Sequence, residues 1–132
     1  YGLERIAMFL QDKESIWDLS WNKNLNYSDI WLQFEKSQCS YNFTESNPKN
    51  LRKLFEIYQD EAKSLIHKNL TYPALDFVLK CSHCFNLLDA RGVISITDRA
   101  QYIESIRKLA KEVAKSWISQ RKLLGYPLNK KN

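Results

Sequence analysis

Residues 47–69 read NPKNLRKLFEIYQDEAKSLIHKN, and this stretch sets the class of the fold. Asn47 is a good N-cap, because its short side chain accepts from the free N–H groups of a first helical turn. Pro48 suits the first helical position, where no N–H is needed. Leu51, Leu54, Phe55, Tyr58, Ala62, Leu65 and Ile66 then recur at spacings of three and four, the stripe of an amphipathic α-helix. His67 and Lys68 place positive charge at its C-terminal end, which suits the helix dipole.

Outward from this helix the same period continues. A second helix is expected from Pro73. Ala74, Phe77, Val78, Cys81, Cys84, Phe85 and Leu88 share one face, and Leu75, Leu79 and Leu87 lie on another. A helix apolar on two sides is central in a bundle. Arg91-Gly92 stops it, with Gly92 free to take the left-handed cap conformation. A third and longest helix is expected from Asp98 to Leu124, capped by Ser95 or Thr97. Its seam reads Ile103, Ile106, Ala110, Val113, Trp117 and Leu124. Gly125 and Pro127 end it. The first third is less regular. Gly2 to Leu10 reads as a short helix, Ile16 to Trp21 as a short strand or irregular segment, and Ser28 to Tyr41 as a helix. Asn22 to Asn26 and Thr44 to Ser46 read as loops. The fold class is mainly α, an antiparallel helical bundle with short connections.

Composition agrees. The chain has 132 residues, enough for one domain, and only 3 Gly and 3 Pro, too few for a loop-rich β fold. Apolar residues make up 44% and aromatics 13%, enough for a real core. No apolar run approaches the roughly 20 residues of a membrane span, and no signal peptide is visible. Three cysteines are an odd number and too few for a disulfide scaffold, so a reducing cytoplasm is expected. The formal charge of +5 fits contact with nucleic acid or an acidic partner, and equally an ordinary solvated surface. The chain opens on Tyr1 and its one Met is Met8, so it reads as a piece of a longer protein.

Few residues suggest chemistry. Cys81-Ser-His-Cys84 has the spacing of a metal or redox pair. Both thiols fall on the apolar stripe, however, where free Cys packs as a small hydrophobe, and a second Cys/His pair is missing, so no metal site is assigned. No phosphate loop, nucleophile elbow or carboxylate pair is present. The last helix carries Arg99, Arg107, Lys108, Lys111, Lys115, Arg121 and Lys122, a solvated face or an RNA-backbone contact. Glu104 stands four residues before Lys108, at ion-pair spacing. Arg5 would lie in the first turn of the first helix, the wrong end for a cation by the dipole. It therefore marks either a bound anion such as phosphate, for which a planar guanidinium is suited, or a salt bridge to a neighbouring carboxylate.

Gly2-Leu-Glu-Arg-Ile-Ala-Met8 resembles motif 3 of class II aminoacyl-tRNA synthetases, which opens a helix at the ATP site. Ser82 to Arg99 (SHCFNLLDARGVISITDR), Gln38 to Phe43 (QCSYNF) and Ser119 to Pro127 (SQRKLLGYP) are similar to one family, the α subunit of the bacterial heterotetrameric glycyl-tRNA synthetase. The resemblance covers essentially the whole chain. It implies the end of a class II catalytic core over residues 1–26 and a C-terminal helical domain over 27–132. It implies glycine activation with ATP and accompanying Mg2+, then transfer to tRNA(Gly). The implied partners are a β subunit that supplies most tRNA recognition and a second α subunit. By the same resemblance Arg5 packs over the adenine and reaches the ATP tail, Glu4 shapes the pocket, and Gly2 leaves room for it. Motifs 1 and 2, and the residues that would hold glycine and the α-phosphate, are not among these residues, so this stretch alone is expected to be inactive. If the opening helix lacks the sheet it would pack on, Ile6, Phe9 and Leu10 should be exposed. The alternative reading is a non-catalytic helical module that binds protein or RNA.

Overall fold

The computed structural model describes residues 2–129; Tyr1 and residues 130–132, the outer ends of the two expected domains, lie outside it. Five α-helices order the described chain, α1 (Leu3–Leu10), α2 (Tyr27–Ser40), α3 (Pro48–His67), α4 (Thr71–Ala90) and α5 (Ile96–Leu123). The mainly α class follows. The chain divides into two compact units, Tyr1–Glu45 and Ser46–Asn132. The first unit takes in α2, whose opening Tyr27 ring meets those of Trp17 and Trp21 tilted at 6.1 and 6.2 Å.

The second unit is the bundle. Asn47 caps α3 as expected, its side-chain oxygen accepting from the N–H groups of Lys49 and Asn50 at 3.0 and 3.3 Å. Helix α4 is central and packs on both neighbours. Its Ala74, Val78, Cys81, Cys84, Phe85, Leu87 and Leu88 are buried with Leu51, Phe55 and Ala62 of α3 and Leu109 and Val113 of α5. Of its expected second face only Leu87 is buried; Leu75 and Leu79 are exposed. Helix α4 begins at Thr71, ahead of Pro73, because a proline in the first turn breaks no helical hydrogen bond. The buried Thr71 hydroxyl meets Ser116 at 2.9 Å and ties α4 to α5.

Helix α5 begins at Ile96, two residues before the expected start. Ser95 and Asp98 form a reciprocal capping box, so Asp98 is the third helical residue. The seam is partly as expected. Ile103, Ile106 and Val113 face the core, joined by Tyr102 and Leu109, while Ala110, Trp117 and Leu124 are exposed. Tyr102 decides the phase by its edge-on contact with Phe55 at 4.6 Å. Gly92 and Gly125 both end their helices with positive φ, 64° and 69°.

In the first unit Ile16–Asp18 forms a 3-10 turn capped by Ser15, and Ser20 pairs with Asn26 in an isolated antiparallel bridge, so no strand forms there. Helix α2 opens on a capping box of Asn26 and Asp29. Helical winding continues past Ser40 in a π-type turn over Tyr41–Glu45, where a loop was expected from Thr44.

Candidate functional site

The site expected from the sequence lies at the start of α1. Gly2 precedes the helix with φ 79° and ψ 144°, a conformation that strains any L side chain. An added Cβ would meet Glu4 Oε2 at 3.4 Å, an ordinary contact. Backbone conformation, rather than crowding, is therefore what favours glycine here. No side chain caps the opening N–H groups of α1, and Glu4 in the first turn suits their positive field.

Glu4 and Arg5 point into different surroundings. Glu4 is half-buried, and its Oε1 accepts a hydrogen bond from the Tyr27 hydroxyl at 3.2 Å. Burial pushes the Tyr27 phenol above its ordinary pKa, and the hydrogen bond and negative charge of Glu4 push it further. Together with Leu3, Ala7, Trp21 and Trp31 these residues line a cleft of about 290 Å³. Gln11 pins the cleft's rim to the bridge segment: its amide accepts from the Ser20 N–H at 2.8 Å and donates to the Ser20 carbonyl at 3.1 Å. Arg5 lies outside this cleft. It is exposed and forms no hydrogen bond or ion pair with a described residue. The helix thus presents Glu4 to the cleft and Arg5 to solvent.

Sequence reasoning missed Tyr27, Gln11 and the tryptophans of the cleft. One signal was present: Tyr27, Trp31 and Phe34 stand at helical spacing, and their rings meet in series, tilted at 6.4 Å and edge-on at 5.8 Å. The remaining face of α1 packs on nothing described. Ile6, Phe9 and Leu10 are all exposed, Phe9 at 85%. This is the exposure expected of a helix without its sheet.

The cysteine pair sits elsewhere and in another environment. Cys81 and Cys84 are buried in the bundle core, and the Cys81 thiol faces the Phe55 carbonyl at 3.8 Å. Burial, helped by the neighbouring Cys84, pushes the Cys81 pKa up to about 11; burial raises Cys84 as well. Such thiols stay protonated, which suits packing rather than nucleophilic chemistry. His83 points to solvent. Among the described residues no three His, Cys, Asp or Glu side chains are grouped to hold a metal ion, and no helix is long and apolar enough to cross a membrane.

A family model described as glycyl-tRNA synthetase alpha subunit matches residues 1–122. The chain belongs to that family. The match takes in the Gly2–Arg5 turn, the aromatic cleft and the bundle down to the last turn of α5. Membership in the glycyl-tRNA synthetase α subunit family makes the chain part of an aminoacyl-tRNA ligase of protein biosynthesis.

Proposed function

We propose that this chain is the motif 3 and helical-domain portion of a class II glycine–tRNA ligase α subunit. In the first step a glycine carboxylate oxygen attacks the α-phosphorus of ATP. Glycyl-adenylate forms and pyrophosphate leaves. In the second step a hydroxyl at the 3′ end of tRNA(Gly) attacks the glycyl carbonyl carbon and AMP leaves. Neither step needs a protein nucleophile; both need positioning and neutralisation of charge.

Arg5 supplies that here. Its guanidinium stacks on the flat adenine and reaches the ATP phosphates, with Mg2+ entering as the counter-ion of the nucleotide. Glu4, held by Tyr27, shapes the pocket wall, and Gly2 sets the helix entry. The observation that carries this reading is the family match across residues 1–122, joined to an exposed Arg5 with no ionic partner of its own. The working enzyme is a cytoplasmic heterotetramer of two α and two β subunits, with β supplying most of the tRNA recognition. No residue of this stretch is assigned to glycine or the α-phosphate, so on this reading residues 1–132 alone should not activate glycine.

Glycine-dependent ATP–pyrophosphate exchange by the parent chain with its β partner tests the reading. Arg5→Ala is expected to lower exchange by about 100-fold or more, the scale of losing one transition-state charge contact. Exchange by the parent with an unaffected Arg5 variant would keep the ligase and remove Arg5 from the site. A folded, β-bound parent with no exchange would refute the ligase reading.

A further inference from the structure

Charge is divided unevenly along this chain. Residues 1–45 carry 4 Lys+Arg against 7 Asp+Glu, and residues 46–132 carry 16 against 8. Helix α5 concentrates the excess. Arg107, Lys108, Lys111, Lys115 and Lys122 are all exposed, and the four lysines recur at three-, four- and seven-residue steps down the face turned away from Leu109 and Val113. From Lys108 to Lys122 this stripe is about 21 Å long at 1.5 Å per residue. Of the five cations only Lys115 is paired, with Glu112 at 3.4 Å. Glu104 has the spacing to pair with Lys108 and forms no ion pair with it, so the stripe stays largely unneutralised among the described residues.

The stripe borders a cleft between α3 and α5 of about 450 Å³. Lys108 forms one lip, and His67 with Lys63, paired to Asp60 at 3.2 Å, forms the other; Ile66 and Leu109 contribute apolar lining, and Glu112, the partner of Lys115, also lines it. Gln59 and Ser105 hydrogen-bond across it. No Phe, Tyr or Trp lines it, so it offers no stacking platform for a base. Lysine is depleted in protein–protein interfaces, whereas unpaired lysines in a row suit a regular polyanion.

We propose that the lysine stripe of α5, with the lips of the α3–α5 cleft, holds an RNA phosphodiester backbone without reading its sequence. The proposal rests on the ligase reading for the choice of RNA over other polyanions. It assigns the contact to this face of the helical unit and to these side chains.

The test is fluorescence anisotropy of the 132-residue chain with a labelled tRNA transcript, titrated over KCl. Each phosphate contact adds about 0.7–0.9 to the slope of log affinity against log salt. Replacing three lysines together, Lys108→Gln, Lys111→Gln and Lys122→Gln, should flatten that slope by about 2–3, so that the advantage of the wild type shrinks by roughly 40-fold between about 50 and 200 mM salt. Glu104→Lys extends the stripe and should steepen the slope by about 1, a gain that misfolding cannot mimic. The matched set in the first unit, Lys13→Gln, Lys23→Gln and Lys36→Gln, should change neither value. A scrambled RNA stem-loop should bind as the transcript does. Equal slopes for the α5 and first-unit sets overturn the proposal. So does an unchanged slope accompanied by lost co-elution with the β subunit, which would make the stripe a protein-binding face. Failure of pyrophosphate exchange in the parent would sink the ligase reading and leave these slopes to be judged separately.

Discussion

Leu88→Ala should open the bundle core, and the buried cysteines can report it. Leu88 is fully buried on the central helix, with α3 on one side and α5 on the other. Walls on both sides hinder collapse into the space left by the lost side chain. The cost should therefore fall in the middle of the range for buried leucines, about 3 kcal/mol. The chain has three free thiols; Cys39 is exposed and Cys81 and Cys84 are buried. When reclosing is fast, a buried thiol reacts in proportion to the population of the open form. In the wild type at about pH 8, one equivalent of a thiol reagent should react quickly and two slowly. Cys39 itself will be somewhat slowed, since its hydrogen bond to Glu35 and partial desolvation raise its pKa. Leu88→Ala should speed the two slow thiols by roughly 100-fold, because 1.4 kcal/mol is about a factor of 10. Leu79→Ala, on the same helix and 59% exposed, should change those rates by no more than about 2-fold. Three fast thiols in the wild type, or an acceleration below about 3-fold in Leu88→Ala, would refute this account of the core.

Three further outcomes follow from the local geometry. Asn47→Ala removes the two N-cap hydrogen bonds of α3 and should lower stability by about 1 kcal/mol in urea unfolding, with Asn47→Asp retaining most of it. The Tyr27 phenol is raised above its ordinary pKa, so its contribution to stability is complete below about pH 10 and is lost as pH rises through the higher folded value. NMR titration of its ring should place it above the ordinary value, and Glu4→Gln should bring it part of the way down, leaving the larger effect of burial. A chelator should leave the thermal midpoint of the chain unchanged, since Cys81 and Cys84 are held by apolar packing; a fall of several degrees would reopen a metal role.

The bundle was largely legible because its signals are local and repeated. Asn47-Pro48 places the start of α3 to the residue, and its end at His67 falls two residues short of the expected Asn69. Gly92 takes the left-handed stop that only its missing Cβ makes easy. Phase was legible only in part. Ile103, Ile106 and Val113 of the expected α5 seam do pack on the core, but Ala110 and Leu124 are exposed, and tertiary contact adds the neighbouring row through Tyr102 and Leu109. A stripe of apolar letters fixes that a helix is amphipathic to within one row; the choice between adjacent rows belongs to the partner. The first unit was harder for another reason. Its 3-10 turn, bridge and π-type turn are each too short to show a period, and they are organised by side chains distant in sequence, such as Gln11 on Ser20.

The candidate site shows the same division between local and remote causes. Arg5 stood out in the sequence because a cation in a first turn opposes the helix dipole, and that argument requires no tertiary information. The structure adds that no described carboxylate pairs with it, which removes the salt-bridge explanation within the described residues and is what the proposed ATP contact of Arg5 requires. Tyr27 could not be found in this way. Its importance depends on a bond to Glu4 across 23 residues, and nothing in the spacing of a lone tyrosine announces such a partner. The apolar face of α1 lies between these cases. Ile6, Phe9 and Leu10 recur at helical spacing, and Leu3, Glu4, Ala7 and Gln11 recur on the side that lines the cleft. A helix of eight residues with two occupied faces is built to be sandwiched, yet only the polar face finds its neighbour here. If the upstream part of the ligase subunit covers the other face, Phe9→Ser should barely alter the stability of residues 1–132 and should destabilise the longer parent by about 2 kcal/mol or more. Equal effects in both would show that this face remains open to solvent in the parent.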